Sequence, residues 1–190
     1  MRVATGMVLA GLGAIALGCA DSAENAPTAP DLVTRAVADV GNDGGPIVTG
    51  AGNVLRDLGA GPELTTFSFN AVGQGNGSVG GHFTYDFRAG GFAMIGTVTC
   101  ATVSGNRAWI GGVIDKVKSD DPADQSFVGT DVWWMVDDNS AGGSGTPDRT
   151  TSLLLTLPGT TITAASWCAD KPVNPRIAVR EIASGNIVIH

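Results

Sequence analysis

From Glu63 to the last residue the chain is built of short apolar runs of period two, cut roughly every eight to twelve residues by glycine-rich turns. Phe67, Phe69 and Ala71 alternate with Thr66, Ser68 and Asn70, the pattern of a half-buried strand. Gly73 to Gly77 supplies a turn, and Phe83, Tyr85 and Phe87 alternate with His82, Thr84 and Asp86 on the way back, so the two runs predict a hairpin. Phe92 to Val103 and Ala108 to Val117 form a second hairpin through Ser104-Gly105-Asn106, whose Gly and Asn tolerate positive φ. Both faces of that hairpin are largely apolar, which predicts strands covered on two sides. Further strands are expected over Ser126 to Val136, Ser152 to Leu157 and Thr160 to Trp167, and a last hairpin over Ile177 to Ile182 and Asn186 to Ile189. The 28 glycines and the lack of long Ala/Glu/Lys/Leu runs agree with this balance. The expected fold is therefore all-β: a single antiparallel domain of about eight to ten short strands, either a barrel or a two-sheet sandwich, since both protect strand edges.

That β-domain is assigned to residues 62–190. The segment before it reads differently. From Ala20 to about Gly61 there is no aromatic residue, and Pro27, Pro30 and Pro46 interrupt the chain, so 19–61 is expected to be a flexible tether. Leu32, Val33, Ala36, Val37 and Val40 have the spacing of a short amphipathic turn, and Ile47, Val48, Val54, Leu55 and Leu58 could add an edge element.

Residues 1–18 combine Arg2 with an uncharged run to Gly18, too short for the about 20 residues a spanning helix needs. They fit a secretory signal peptide. Ala16-Leu17-Gly18-Cys19 resembles a bacterial lipobox, with Ala where Leu is usual. The resemblance implies a diacylglycerol on Cys19, a membrane anchor of two or three acyl chains, and, because Ala20 rather than Asp follows, sorting to the outer membrane or cell surface. Ordinary secretion is the other reading.

The net charge of −7 makes phosphate-rich partners unfavourable, so no nucleic acid is expected. With Cys19 acylated, Cys100 and Cys168 remain. In an oxidising compartment they either form a disulfide, worth roughly 4 kcal/mol in chain-entropy terms, or stay as two separate buried thiols. Two cysteines and two distant histidines give no zinc-ligand spacing.

Phe67-Ser68-Phe69-Asn70-Ala71, Gly80-Gly81-His82-Phe83-Thr84-Tyr85, Gly96-Thr97-Val98-Thr99-Cys100, Gly105 to Gly112, Pro147-Asp148-Arg149 and Gly185 to His190 follow in an order that resembles the post-COAP-1-type domain of secreted bacterial proteins. The resemblance spans Phe67 to His190 and implies an all-β extracytoplasmic domain. It lends no activity to any residue.

Gly75-Asn76-Gly77-Ser78-Val79-Gly80 matches GxGxxG, but a dinucleotide site needs a helix after it and a strand pattern follows here, so a hairpin turn is expected and no cofactor is implied. Asp137, Asp138, Asn139 and Asp148 flank a glycine-rich loop whose oxygens could hold calcium, or could simply cap turns. Trp134 falls with Val132 and Val136 on the core side of its strand. Trp133 falls with Asp131 and Met135 on the other side, where a Trp beside a carboxylate could stack on a sugar, or could lie beneath another element. No GxSxG elbow is present. The reading that results is a lipid-anchored extracytoplasmic module without catalysis, binding carbohydrate or another envelope protein; the alternative is a β-barrel hydrolase with a polar site near His82.

Overall fold

The computed structural model describes residues 46–57, 61–139, 145–156, 158–173 and 177–190. The leader, Cys19 and the amphipathic turn at 32–40 lie outside these residues.

Nine strands occur among the described residues: β1 (Pro46–Asp57), β2 (Pro62–Gly73), β3 (Val79–Phe87), β4 (Phe92–Ser104), β5 (Arg107–Lys118), β6 (Asp131–Asp137), β7 (Arg149–Thr151), β8 (Leu154–Leu155) and β9 (Val179–Ile189), with one short helix, α1 (Ala164–Asp170). All pairings are antiparallel. The order β5-β4-β3-β2-β1-β9-β7-β6 closes on itself because β5 also pairs with β6, and β8 hangs on β6 as an extra strand. The choice between sandwich and barrel is thus resolved as an eight-stranded closed barrel, which leaves no long free edge.

The barrel is filled. Trp134 is fully buried at its centre, with Phe69, Phe83 and Tyr85 meeting it edge to face at 5.4–6.0 Å between ring centroids. Val132 and Val136 share its face, as the alternation predicts. Room for these rings comes from glycine. A Cβ on Gly50 would lie 2.6 Å from the Phe69 ring, and one on Gly96 would overlap the Phe83 ring and the Val113 carbonyl.

Several local expectations differ from the structure, and the strand expected over Ser152 to Leu157 shrinks to β8, Leu154–Leu155. First, β1 lies within the stretch assigned to the tether, and it is no edge element: it pairs with β2 on one side and β9 on the other, with Val48 and Val54 buried. The β-domain therefore includes Pro46. Secondly, the strand expected over Thr160 to Trp167 is replaced by α1. Thr163 accepts from Ser166 N at 3.1 Å while Ser166 Oγ accepts from Thr163 N at 2.9 Å, a reciprocal cap that starts a helix. Thirdly, the expected last hairpin is one continuous strand, β9, in which Gly185 takes φ of 115° at a point where a Cβ would strike Ala51 of β1. Fourthly, the first part of the run from Ser126 is not strand, because Pro122–Phe127 forms a 3₁₀ turn capped by Asp121.

A second, smaller apolar cluster lies outside the barrel wall. Trp109, Trp133 and Met135 of β5 and β6 are covered by Trp167 of α1. Gly111 lets the helix approach, since a Cβ there would sit 2.8 Å from Ala164 Cβ and from Cys100 Sγ. Cys100 and Cys168 are joined by a disulfide of 2.06 Å that ties α1 to β4 across 68 residues of sequence.

Candidate functional site

The outer surface of β9, β1, β2 and β3 carries short side chains. Two cross-strand rows run over it: Val188, Thr49, Asn70, His82 and then Asn186, Ala51, Ser68, Thr84. These rows line a cleft of about 520 Å³. Four strands hold its walls, so the positions are set by ladder register rather than by loops. Asn70 turns its side-chain oxygen onto the His82 amide at 2.9 Å, fixing that wall. His82 is exposed at the rim. Among the described residues that line the cleft there is no carboxylate beside the imidazole. Asp115, two strands over, accepts from Thr97 Oγ1 at 2.7 Å. The chemistry on offer is hydrogen bonding by hydroxyl, amide and imidazole groups, without charge repulsion or attraction.

Trp133 and Asp131, for which a sugar contact or cover by another element was open, lie elsewhere, and cover is what the structure shows for Trp133. Trp133 is 7 % exposed and packs on Trp167 with ring centroids 4.3 Å apart, so its face is not open for stacking. The cause is α1, which the strand pattern did not reveal. Asp131 Oδ2 accepts from Ala164 N at 3.0 Å and so helps begin that helix. Asp131 also borders a second cleft of about 630 Å³, with Thr130, Thr156 and Thr160.

The four candidate calcium ligands come together at one barrel end, but as hydrogen-bond acceptors of the chain itself. Asp137 binds Arg107 in a two-pronged pair, Nε to Oδ1 at 2.6 Å and Nη2 to Oδ2 at 2.9 Å, and this bond raises the Arg107 pKa. Asp138 Oδ2 accepts from Ile189 N at 3.1 Å. Asp148 Oδ1 accepts from Asn139 N, and its Oδ2 from Ile187 N, both at 2.8 Å. Asn139 donates to the Pro147 carbonyl and accepts from Asn106. Among the described residues no group of three or more His, Cys, Asp or Glu is arranged to hold a metal ion. Asp148 and Asp138 are buried because they continue a ladder: β7 ends its pairing with β9 at Arg149 opposite Glu181, and beyond it the two carboxylates take the amides of Ile187 and Ile189, while Asp137 is buried against Arg107.

The Gly75 to Gly80 match is a hairpin turn, as expected, closed by Asn76 Oδ1 accepting from Ser78 N at 2.9 Å. Among the described residues no helix is long and apolar enough to cross a membrane. Comparisons with protein-family models, with curated proteins and with solved structures found no match.

Proposed function

We propose that this chain is a lipid-anchored, extracytoplasmic β-barrel that acts as a non-catalytic binding module, and that the cleft around Asn70 takes a neutral, hydroxyl-rich ligand of carbohydrate type. One observation carries the ligand class: beside Gly50, Ala51, Phe69, Phe83 and Val188, the polar lining of the cleft is Thr49, Ser68, Asn70, His82, Thr84 and Asn186, donors and acceptors without a carboxylate or a guanidinium among them. Sugar hydroxyls both give and accept hydrogen bonds, and short polar side chains on rigid strands meet them with little entropy lost. The filled barrel centre supports placing a sugar-sized ligand on the outer surface. Export is supported by the leader and by the Cys100–Cys168 disulfide, a bond that persists in oxidising compartments. The anchor rests on Cys19 and its lipobox-like flank. The resemblance to the post-COAP-1-type domain agrees with this setting and adds no chemistry.

The test uses the mature chain carrying Cys19→Ser, which stays soluble, against an array of cell-surface glycans. Binding is expected to be lost in Ser68→Arg, which fills the cleft, while the melting temperature is unchanged. Failure to bind any neutral glycan, or binding that survives Ser68→Arg, would remove the carbohydrate reading. Labelling with radioactive palmitate in cells, absent in Cys19→Ser, checks the anchor separately.

A further inference from the structure

The barrel end opposite Asp148 turns charged side chains inward. In the register of β1 with β2, Arg56 faces Glu63, two residues beyond buried Val54 and therefore on the same inner face. On β9, Arg180 faces Thr150, which is fully buried. The ladder of β1 with β9 ends at Val54 opposite Ile182, and Arg56 and Arg180 lie two residues beyond that pair on the two strands, near enough for each charge to act on the other. Like charges in that relation repel. Burial lowers the Arg56 pKa, Glu63 opposes the effect and Arg180 adds to it.

Among the described residues neither cation has a counter-charge within ion-pairing distance, and the salt bridge present, Arg107–Asp137, lies at the other end. Nε of Arg56, Nε of Arg180, Oε1 of Glu63 and Oγ1 of Thr65 are all buried without a hydrogen-bond partner. Thr65 is 0 % exposed and lies directly below, two residues along β2 from Glu63. Buried polar atoms without partners are costly, and here two guanidinium donors, a hydroxyl and a carboxylate acceptor gather at one barrel end. An apolar wall adjoins them. The Arg56 guanidinium lies 4.8 Å from the centre of the Phe87 ring, and Phe87, Phe92 and Phe127 pack in sequence with centroids 5.5 and 6.1 Å apart.

We propose that this mouth binds a small organic carboxylate, its carboxylate held by Arg56 and Arg180 with Thr65 as a further donor, and its apolar body against Phe87 and Phe92. Guanidinium forks match a carboxylate in two-pronged geometry. Two arginines and Glu63 leave a single positive charge, which suits a monoanion and disfavours a phosphate dianion. Glu63 supplies an acceptor for a hydroxyl on the bound acid. The site is separate from the uncharged cleft around Asn70, and either can exist without the other.

The experiment is a thermal melt of the mature Cys19→Ser chain in sodium benzoate, sodium hexanoate, inorganic phosphate or chloride at equal ionic strength. Benzoate or hexanoate at ten times its dissociation constant is expected to raise Tm over chloride by about 3–6 °C. Arg180→Gln and Arg56→Gln should each abolish the difference, and Arg180→Lys should keep part of it. An equal rise in wild type and both Gln variants would be a general salt effect and would overturn the proposal, as would no rise with either acid. A phosphate rise as large as that with benzoate would overturn the assignment to an organic monoanion. Should one Gln variant fail to fold, the other and Arg180→Lys still decide the matter.

Discussion

Replacing Asp148 by Asn should loosen the seam between β7 and β9 far more than a surface substitution could. The carboxylate is 3 % exposed and accepts one amide on each oxygen, from Asn139 and from Ile187, both at 2.8 Å. Asn keeps one acceptor and presents an NH₂ to the second amide, so one charge-assisted bond is lost and the other weakened. Bonds of this kind contribute about 1.5–3 kcal/mol each, and a buried amide left facing a donor adds its desolvation cost. The expected loss is about 2–4 kcal/mol, which for a domain of this size lowers Tm by roughly 5–15 °C. Asp138→Asn disturbs the bond to Ile189 N and should cost about half as much. Differential scanning calorimetry gives the melts, and amide hydrogen exchange should show the Ile187 amide opening in Asp148→Asn while β2 and β3 stay protected. A variant that melts within about a degree of wild type with Ile187 still protected would refute the idea that this carboxylate completes the ladder. So would a rise in Tm with calcium that Asp148→Asn removes, because the carboxylate would then be serving a metal.

Three further predictions concern the core and the outer cluster. Tyr85 is the only tyrosine of the chain, and burial pushes its pKa upward from the usual value near 10, so absorbance at 295 nm should show no tyrosinate until the barrel unfolds. The unfolded chain releases that proton above about pH 10 while the native one retains it, so stability falls as pH rises past that point, and Tyr85→Phe should flatten the fall. Gly96→Ala should destabilise by about 1–3 kcal/mol in urea melts, since its Cβ overlaps the Phe83 ring and the Val113 carbonyl; a neutral outcome would mean that the ring packing is looser than described. Trp133→Phe should leave any glycan binding unchanged while costing about 1–2 kcal/mol of stability, because Trp133 packs on Trp167 instead of facing solvent; lost binding with unchanged stability would restore it as a contact residue.

Much of the fold is a local property and could be read directly. The hairpins at Gly73 to Gly77 and at Gly105 show in the alternation and turn chemistry, and so does the inward placement of Trp134, because side chains on a strand alternate strictly. The pairing of Cys100 with Cys168 was one of two options open from the residues, and the approach of α1 to β5 at Gly111 selected it. Strand β1 read as no more than an edge element, for a physical reason. Its inward positions are Val48, Gly50, Gly52 and Val54, and the glycines carry no hydrophobic signal although they face the core. Their lack of a side chain is what Phe69 and Phe67 fill from the neighbouring strand. The cap formed by Thr163 and Ser166 was written in the sequence, yet a seven-residue helix has too little periodicity to outweigh a β-branched run.

The candidate sites were less legible still, because each depends on which edges meet. Asp138 and Asp148 look like loop carboxylates until β9 arrives beside them from the far end of the chain. Arg56 and Arg180 are ordinary exposed-type residues until closure sets β1 against β9 and turns both to the inside. The sequence by itself determined strand-forming segments, their turns and the face each side chain takes, since these follow from neighbours a few residues away. Only the tertiary structure decided closure, register across the seam and the companions of each buried polar group, since these follow from contacts between segments more than a hundred residues apart, for which local periodicity carries no information.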